Sequence, residues 1–151
     1  FGPAEAARAY FPLFVMGLVG KIAAGALADL LPRKAVFGGC LALMFAGGVM
    51  LATLNPKLVM PALYLFGLGW GGNYTMLQGL VADVFGARAL GKILGGITVL
   101  DATGGALGPW VTGALFDITK SYQLGFSVIV VLIAASLGAI LFVRLPARAA
   151  H

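Results

Sequence analysis

The chain has 151 residues, of which 61% are hydrophobic and 10% charged, and its formal net charge is +5. Soluble domains are about 45–50% apolar and about 25% charged, so this chain has too little polar surface to form one. Its Lys and Arg residues are dispersed, whereas a nucleic-acid interface needs them clustered. The composition excludes a soluble, disordered or nucleic-acid-binding chain and indicates a protein whose main partner is the lipid bilayer.

Five apolar runs are long enough to cross a bilayer, which takes about 20 helical residues. In chain order they cover residues 9–31, 34–54, 58–84, 89–116 and 122–144. The runs are continuous and rich in Ala, Leu and Gly, without the in–out alternation of a membrane β-barrel. The predicted fold class is therefore an all-α polytopic membrane protein with five transmembrane helices.

The loops predict an orientation, because Lys and Arg are enriched on the cytoplasmic side of a membrane. The two sides differ in their basic residues: Arg33, Lys34, Arg88, Arg144 and Arg148 on one, and Arg8, Lys57 and Lys120 on the other. The richer side should be cytoplasmic, so the first residue lies outside and the C-terminus inside. We expect a plasma membrane, in particular a bacterial inner membrane.

An internal repeat relates the first run to the fourth. The pattern G-x4-G-A-L-x-D starts at Gly20 and again at Gly108, and every matched position is offset by 88 residues. The copies are three spans apart, so they should cross the membrane in opposite directions, as inverted three-span repeats of secondary transporters do. By this symmetry we expect a six-helix unit of which the first helix is missing.

The segment from Gly25 to Lys34 resembles the cytoplasmic loop motif of the major facilitator superfamily, G-x3-D-[RK]-x-G-[RK]-[RK]. It departs from that motif at Leu30 and Pro32, which replace a basic residue and a glycine. In the family, charges at this end latch the two halves of the transporter in one state. The resemblance implies a cytoplasmic gate, with Asp29 beside Arg33 and Asp83 beside Arg88, and its members are Asp29, Arg33, Lys34, Asp83 and Arg88. Ordinary solvated ion pairs are the alternative.

The fourth run resembles the Gly-Pro hinge motif of the family's eleventh span. Gly104, Gly108 and Pro109 match it, while Thr112 replaces a glycine. A proline removes a helical hydrogen-bond donor and permits a bend. Residues 86–126 are similar to the monocarboxylate transporter and oxalate–formate exchanger branch. The resemblance implies spans eight to twelve of a C-terminal half, over residues 1–151, with the first helix of that half and the whole N-terminal half missing.

Two charged residues lie deep in the predicted spans, where charge is costly. Lys21 is about 18 Å from Arg33 along its helix, and Asp101 is about 20 Å from Arg88. Both are therefore near the midplane, where transporter sites lie. The resemblance implies that Lys21 engages a substrate carboxylate, although Lys lacks the planar fork of the Arg found there in relatives.

Asp101 is the candidate for proton coupling. Removal from water favours the neutral form of a carboxyl group, so such a group can take up and release a proton. Pairing with Lys21 would instead hold Asp101 ionised. A purely structural ion pair between Lys21 and Asp101 is the alternative to a role in transport.

Polar side chains on the third run complete the candidate substrate site. Tyr74 and Gln78 lie on one helix face, and Trp70 and Asn73 lie on a neighbouring stripe. Bound substrate could satisfy these groups, and interhelical hydrogen bonds are an equally good alternative. The small-residue pairs are predicted to allow close helix packing rather than ligand contact: Gly67–Gly71, Gly91–Gly95 and Gly104–Gly108.

These features predict a secondary active carrier of a small organic anion, in particular a monocarboxylate, working by proton symport or anion exchange with alternating access. Its further partners would be protons and the missing N-terminal half. A metal, a cofactor or an enzyme activity is not expected, because the spans contain neither a metal-ligand cluster nor a Ser/His/Asp set. The alternatives are a major facilitator transporter of another substrate class, and a non-transporting scaffold or truncated product.

Overall fold

The chain forms five α-helices and, within the part described here, no strands. A computed structural model describes the backbone of residues 3–142 and the side chains of residues 10–86 and 88–142. The helices are α1 (Pro3–Leu30), α2 (Arg33–Ala52), α3 (Pro56–Phe85), α4 (Ala87–Thr119) and α5 (Gln123–Phe142). The all-α fold class predicted from the sequence is confirmed.

The five predicted runs correspond to the five helices, with shifted ends. The largest differences are at α1, which begins at Pro3 instead of residue 9, and at α4, which ends at Thr119 instead of residue 116. The start of α1 is polar, and backbone hydrogen bonds continue a helix beyond its apolar part. The predicted end of the last run, at residue 144, lies outside the described residues.

Short loops join the helices and fix where they begin. Asn55 caps α3, because its side chain accepts a hydrogen bond from the backbone N–H of Lys57 at 3.1 Å. Gly86 separates α3 from α4 at φ 74° and ψ 166°, a conformation that only glycine adopts readily. Each junction spans one to three residues, so consecutive helices are bound to be close neighbours.

Three helices satisfy, by length and composition, what a membrane span requires: Tyr10–Leu30, Arg33–Ala52 and Gln123–Phe142. Helices α3 and α4 are longer, at 30 and 33 residues, but less apolar by the same measure. Of the five helices, these two contain most of the glycine and uncharged polar residues. Polar residues in a span must face protein or a water-filled space, so α3 and α4 are suited to line a polar site.

Helix α3 is the centre of the bundle, with α1 against one side and α2 against the other. At the α1 side, a Cβ at Gly71 would overlap the carbonyl oxygen of Gly17, so the two backbones are in direct contact. At the α2 side, a Cβ at Gly69 would overlap the carbonyl oxygen of Cys40. Small residues thus let three backbones approach closely, as in other membrane helix pairs.

Two small clusters fill the remaining space of the core. One joins α1, α2 and α3, and consists of Ala24, Ala28, Val36, Cys40 and Met76. The other joins α2, α3 and α5 through Leu41, Leu80 and Ile140. Helix α4 contributes no side chain to either cluster, and residues 99–111 are all exposed. It therefore lies at the edge of the bundle.

Candidate functional site

A cavity of about 500 Å³ opens between α1, α3 and α4. Its lining consists of Lys21, Trp70, Gly71, Tyr74, Asp101, Ala102 and Gly105. The three small residues leave the space, and the four large ones supply a cation, an anion and two aromatic rings. The cavity therefore combines a charged residue of α1 and one of α4 with the aromatic side chains of α3.

The register of α1 against α3 brings Lys21 beside Tyr74. Gly17 lies against Gly71, and both helices run in the same direction, since Gly67 contacts Leu13 one turn earlier. Lys21 is one turn after Gly17, and Tyr74 is just under one turn after Gly71. The glycine contact therefore sets the distance between these two side chains.

Tyr74 lies between the two charges of the cavity. Its hydroxyl group donates a hydrogen bond to Asp101 Oδ2 at 3.1 Å. The Lys21 Nζ lies over the Tyr74 ring, 5.9 Å from the ring centroid, which is within the range of a cation–π contact. Lys21 and Asp101 do not form the direct ion pair that was one sequence-based alternative.

Trp70 forms the aromatic wall of the cavity. It packs edge-on against Phe14 of α1, with ring centroids 5.9 Å apart, and Phe14 stacks on Tyr10. The sequence placed Trp70 on a stripe beside the candidate face, and the structure places it in the cavity lining. This contact gives the indole ring a fixed position against α1.

Two of the predicted site residues on α3 do not line this cavity. Asn73 lies on the same stripe as Gly69 and Met76, which pack against α2, and its Oδ1 is buried without a hydrogen-bond partner. Gln78 is exposed one turn beyond Tyr74. The predicted substrate site included Asn73 and Gln78 together with Tyr74, but the cavity covers little more than one turn of α3, from Trp70 to Tyr74.

The charged end of the helices is paired differently from the sequence-based prediction. Arg33 Nη1 donates to Asp83 Oδ1 at 2.7 Å and to the carbonyl oxygen of Gly79 at 3.2 Å. Asp83 therefore pairs with Arg33 and not with Arg88, while the gate role expected for these residues stays a prediction. Arg33 begins α2, whose side packs along α3, and Gly79 leaves room for the arginine side chain to cross that helix.

The remaining predicted gate residues lie near this ion pair. Lys34 Nζ donates to the carbonyl oxygen of Leu141 at 3.1 Å, which ties the start of α2 to the end of α5. Asp29 and Arg88 are exposed, and neither takes part in an ion pair among the described residues. Three of the five predicted gate residues thus form hydrogen bonds between helices, and the other two, Asp29 and Arg88, are exposed.

The predicted hinge residues lie within a continuous α4. Pro109 has no N–H to donate to the carbonyl of Gly105, so this cavity-lining residue lacks its helical donor. The Thr112 hydroxyl donates to the carbonyl oxygen of Gly108 at 2.8 Å, a contact that often bends helices. A Cβ at Gly104 or Gly108 would meet nothing within 4 Å, so the expected close packing at this pair is wrong for the described residues.

The glycine pair at the start of α4, Gly91–Gly95, also lacks the predicted close packing among the described residues. A Cβ at Gly91 or Gly95 would have no heavy atom within 4 Å, whereas the pair Gly67–Gly71 packs against α1 as predicted. The structure shows no group of three or more His, Cys, Asp or Glu side chains suited to a metal ion within the described residues. The polar chemistry of the cavity is that of Lys21, Tyr74 and Asp101.

The fold and this cavity define an all-helical membrane protein with a polar site between its helices. The sequence model of the Major Facilitator Superfamily matches residues 6–151, so the chain belongs to this family of membrane transporters. Comparison with curated proteins and with solved structures found no match. The superfamily resemblance stated from the sequence is confirmed.

Proposed function

We propose that these helices form most of the C-terminal half of a secondary carrier for a small organic anion, in particular a monocarboxylate. The observation that carries the proposal is the cavity in which Lys21 and Asp101 lie on either side of Tyr74. Family membership supports membrane transport. The charged and aromatic groups of the cavity support the proposed substrate class and mechanism.

Lys21 is the proposed contact for the substrate carboxylate. Its only described partner is the face of the Tyr74 ring, which leaves the three N–H donors of the ammonium group free for an anion. A charged hydrogen bond of this kind is worth more than a neutral one, because the donor is ionised. The aromatic wall at Trp70 provides an apolar surface for the rest of the substrate.

Asp101 is the proposed proton-coupling group. It faces Tyr74 and the cavity, so a proton and an anion can reach it by the same water-accessible route. If its protonation accompanies the anion, the carrier works by symport. If Asp101 stays ionised throughout, exchange of one anion for another is the mechanism.

The charged end of the bundle is the proposed cytoplasmic gate. Arg33 and Asp83 hold α2 to α3 within this half, so the exposed Asp29 and Arg88 are the groups left to reach the N-terminal half. With this end inside, the chain would sit in the plasma membrane of a bacterium with its first residue outside. Gly104, Gly108 and Pro109 would let α4 bend as access alternates.

The test is uptake by the full-length carrier in proteoliposomes, with labelled acetate, L-lactate, pyruvate and benzoate and with oxalate for comparison. At least one monocarboxylate should accumulate under an inward proton gradient or by counterflow. We expect Lys21→Ala to lower this uptake by about 10- to 100-fold, since a charge-assisted contact is worth roughly 1.5–3 kcal/mol, and Lys21→Arg to retain part of it. Lys57→Ala removes an exposed lysine outside the cavity and is the matched control.

The outcomes separate the proposed mechanism from its alternatives. Asp101→Asn should abolish accumulation driven by protons while counterflow continues, and unchanged accumulation would exclude Asp101 as the coupling group. Uptake of oxalate alone would point to a different substrate class. Absence of uptake for all five acids would contradict the proposed function and favour another substrate or a scaffold.

A further inference from the structure

We infer that Tyr74 is the positioning residue that couples substrate binding to protonation of Asp101. This inference rests on the proposed function and adds the physical connection between its two charged groups. The hydroxyl group of Tyr74 has one hydrogen to donate, and Asp101 Oδ2 accepts it. Whatever else binds this hydrogen must displace Asp101.

A substrate carboxylate held by Lys21 is in the right place to compete. The Lys21 ammonium group lies over the ring of Tyr74, so an anion bound to it approaches the aromatic side chain whose hydroxyl Asp101 occupies. Gly71, Ala102 and Gly105 leave open space around these groups. The anion and Asp101 therefore compete for the Tyr74 hydroxyl hydrogen.

The competition ties the anion to a proton. Tyr74 supplies the one hydrogen bond described for Asp101, and two carboxylates brought close together share a proton because both cannot stay ionised at little cost. When the anion takes this hydrogen bond, Asp101 loses that support and also faces a new negative charge, so it takes a proton from water. Tyr74 stays neutral throughout, and one proton is bound with each monoanion. Release of the anion reverses both steps.

The charged and titratable groups around Asp101 are few enough for this connection to dominate. Helix α1 contributes Lys21 to the cavity and α3 contributes Tyr74, while no side chain of α2 or α5 belongs to the lining. On α4 itself, Asp101 is the one titratable residue of that lining. The anion and the proton are thus linked through a single hydroxyl group in the part of the chain that the structure describes.

The experiment measures the affinity of the full-length carrier for the best-transported monocarboxylate of the panel, between pH 5.5 and 8. If one proton is taken up per anion, the affinity of the unmodified carrier for the anion should fall by up to about tenfold for each unit by which the pH rises. Tyr74→Phe keeps the ring under Lys21 and removes only the hydroxyl group. We expect it to weaken binding at pH 5.5 and to reduce the pH dependence to less than about threefold per unit.

A second measurement reads the proton directly. In weakly buffered solution, adding the same acid as its salt should make the unmodified carrier take up close to one proton per molecule, and Tyr74→Phe much less. Tyr64→Phe, an exposed tyrosine of α3 outside the cavity, should behave like the unmodified carrier in both measurements. This control removes a tyrosine hydroxyl group that has no described contact with Asp101.

The results distinguish failure of this inference from failure of the proposed function. If the unmodified carrier binds a monocarboxylate with proton uptake and Tyr74→Phe keeps the same pH dependence and proton uptake, Tyr74 is not the connection, although the carrier function stands. If the unmodified carrier neither transports nor binds any acid of the panel, both fall together. A normal elution profile of Tyr74→Phe in size-exclusion chromatography confirms that a change in pH dependence does not come from misfolding.

Discussion

Helices α1 and α4 line the same cavity, yet α1 is fixed against its neighbour and α4 is not. The glycines of α1 and α3 bring two backbones into contact, and a Cβ at Gly71 has no room. The glycines of α4 meet nothing within 4 Å, and Leu100 and Trp110 are 74% and 70% exposed. Close packing therefore supports the Lys21–Tyr74 pair, whereas Asp101 stands on a helix whose glycines make no close contact.

This difference suggests how a carrier of this kind divides its work. The α1–α3 pair presents the cation and the aromatic groups at a fixed spacing. The α4 helix holds Asp101 by one described hydrogen bond, to Tyr74, and carries the proline that interrupts its backbone bonds. Movement of α4 would change the contact of Asp101 without disturbing Lys21, so the proposed proton site would respond to the proposed anion site.

The largest predicted effect breaks the close contact between α1 and α3. Gly71→Ala places a methyl group on the carbonyl oxygen of Gly17, and such overpacking costs about 1–3 kcal/mol or more. We expect the yield of monodisperse protein in detergent to fall severalfold and the melting temperature to drop. Gly95→Ala, in open space on α4, is the matched control and should leave both nearly unchanged. An equal loss in the two variants would mean that α4 is packed as tightly as α1.

An intermediate effect concerns the access of a thiol reagent to the core at Cys40 and to the cavity at position 102. Cys40 is the only cysteine of the chain and is 7% exposed, so the unmodified protein should react slowly with a charged, membrane-impermeant thiol reagent. Ala102→Cys adds a thiol beside Asp101 in the cavity lining and should react at least about tenfold faster, because reaction requires an accessible thiolate. Equal labelling rates would contradict an open cavity at α4. An excess of the transported acid should slow the labelling of Ala102→Cys.

The smallest effect concerns the ion pair between α2 and α3. The side chains of Arg33 and Asp83 are 31% and 32% exposed, so solvent screens their attraction. A double-mutant cycle with Arg33→Ala and Asp83→Ala should give a coupling free energy of about 0.2–1 kcal/mol in thermal unfolding. The cycle of Arg88→Ala with Asp83→Ala should give none, because these residues do not pair. Coupling at the second pair only would restore the pairing expected from the sequence.

The internal repeat shows where sequence patterns stop being informative. Gly20 and Gly108 occupy equivalent positions of the same motif, and both lie within long helices. A Cβ at Gly20 would overlap the backbone of Leu68, while a Cβ at Gly108 would touch nothing. Both copies of the motif form helix, but the neighbour that a glycine meets depends on which helices lie beside it.

The ion pairs teach the same lesson from the charged residues. Arg33 and Asp29 are one turn apart in the chain, and the family resemblance implied that they act together in a cytoplasmic gate. Arg33 instead crosses to Asp83, 50 residues later, because α2 lies along α3 and Gly79 leaves room for the side chain. Chain spacing identifies possible partners within one helix and its loop, and cannot rank them against partners on a neighbouring helix.

The sequence by itself determined the five helices, their apolar character and the spacing of Lys21 and Asp101 from the helix ends, because apolar run length and helical rise are local properties. Only the tertiary structure decided that Tyr74 stands between these charges, that Asn73 faces away from the cavity, and that α4 lies at the edge. These outcomes depend on the register between helices, which is fixed by backbone contacts such as Gly17 with Gly71. Contacts between residues far apart in the chain have no signature in the spacing of either residue.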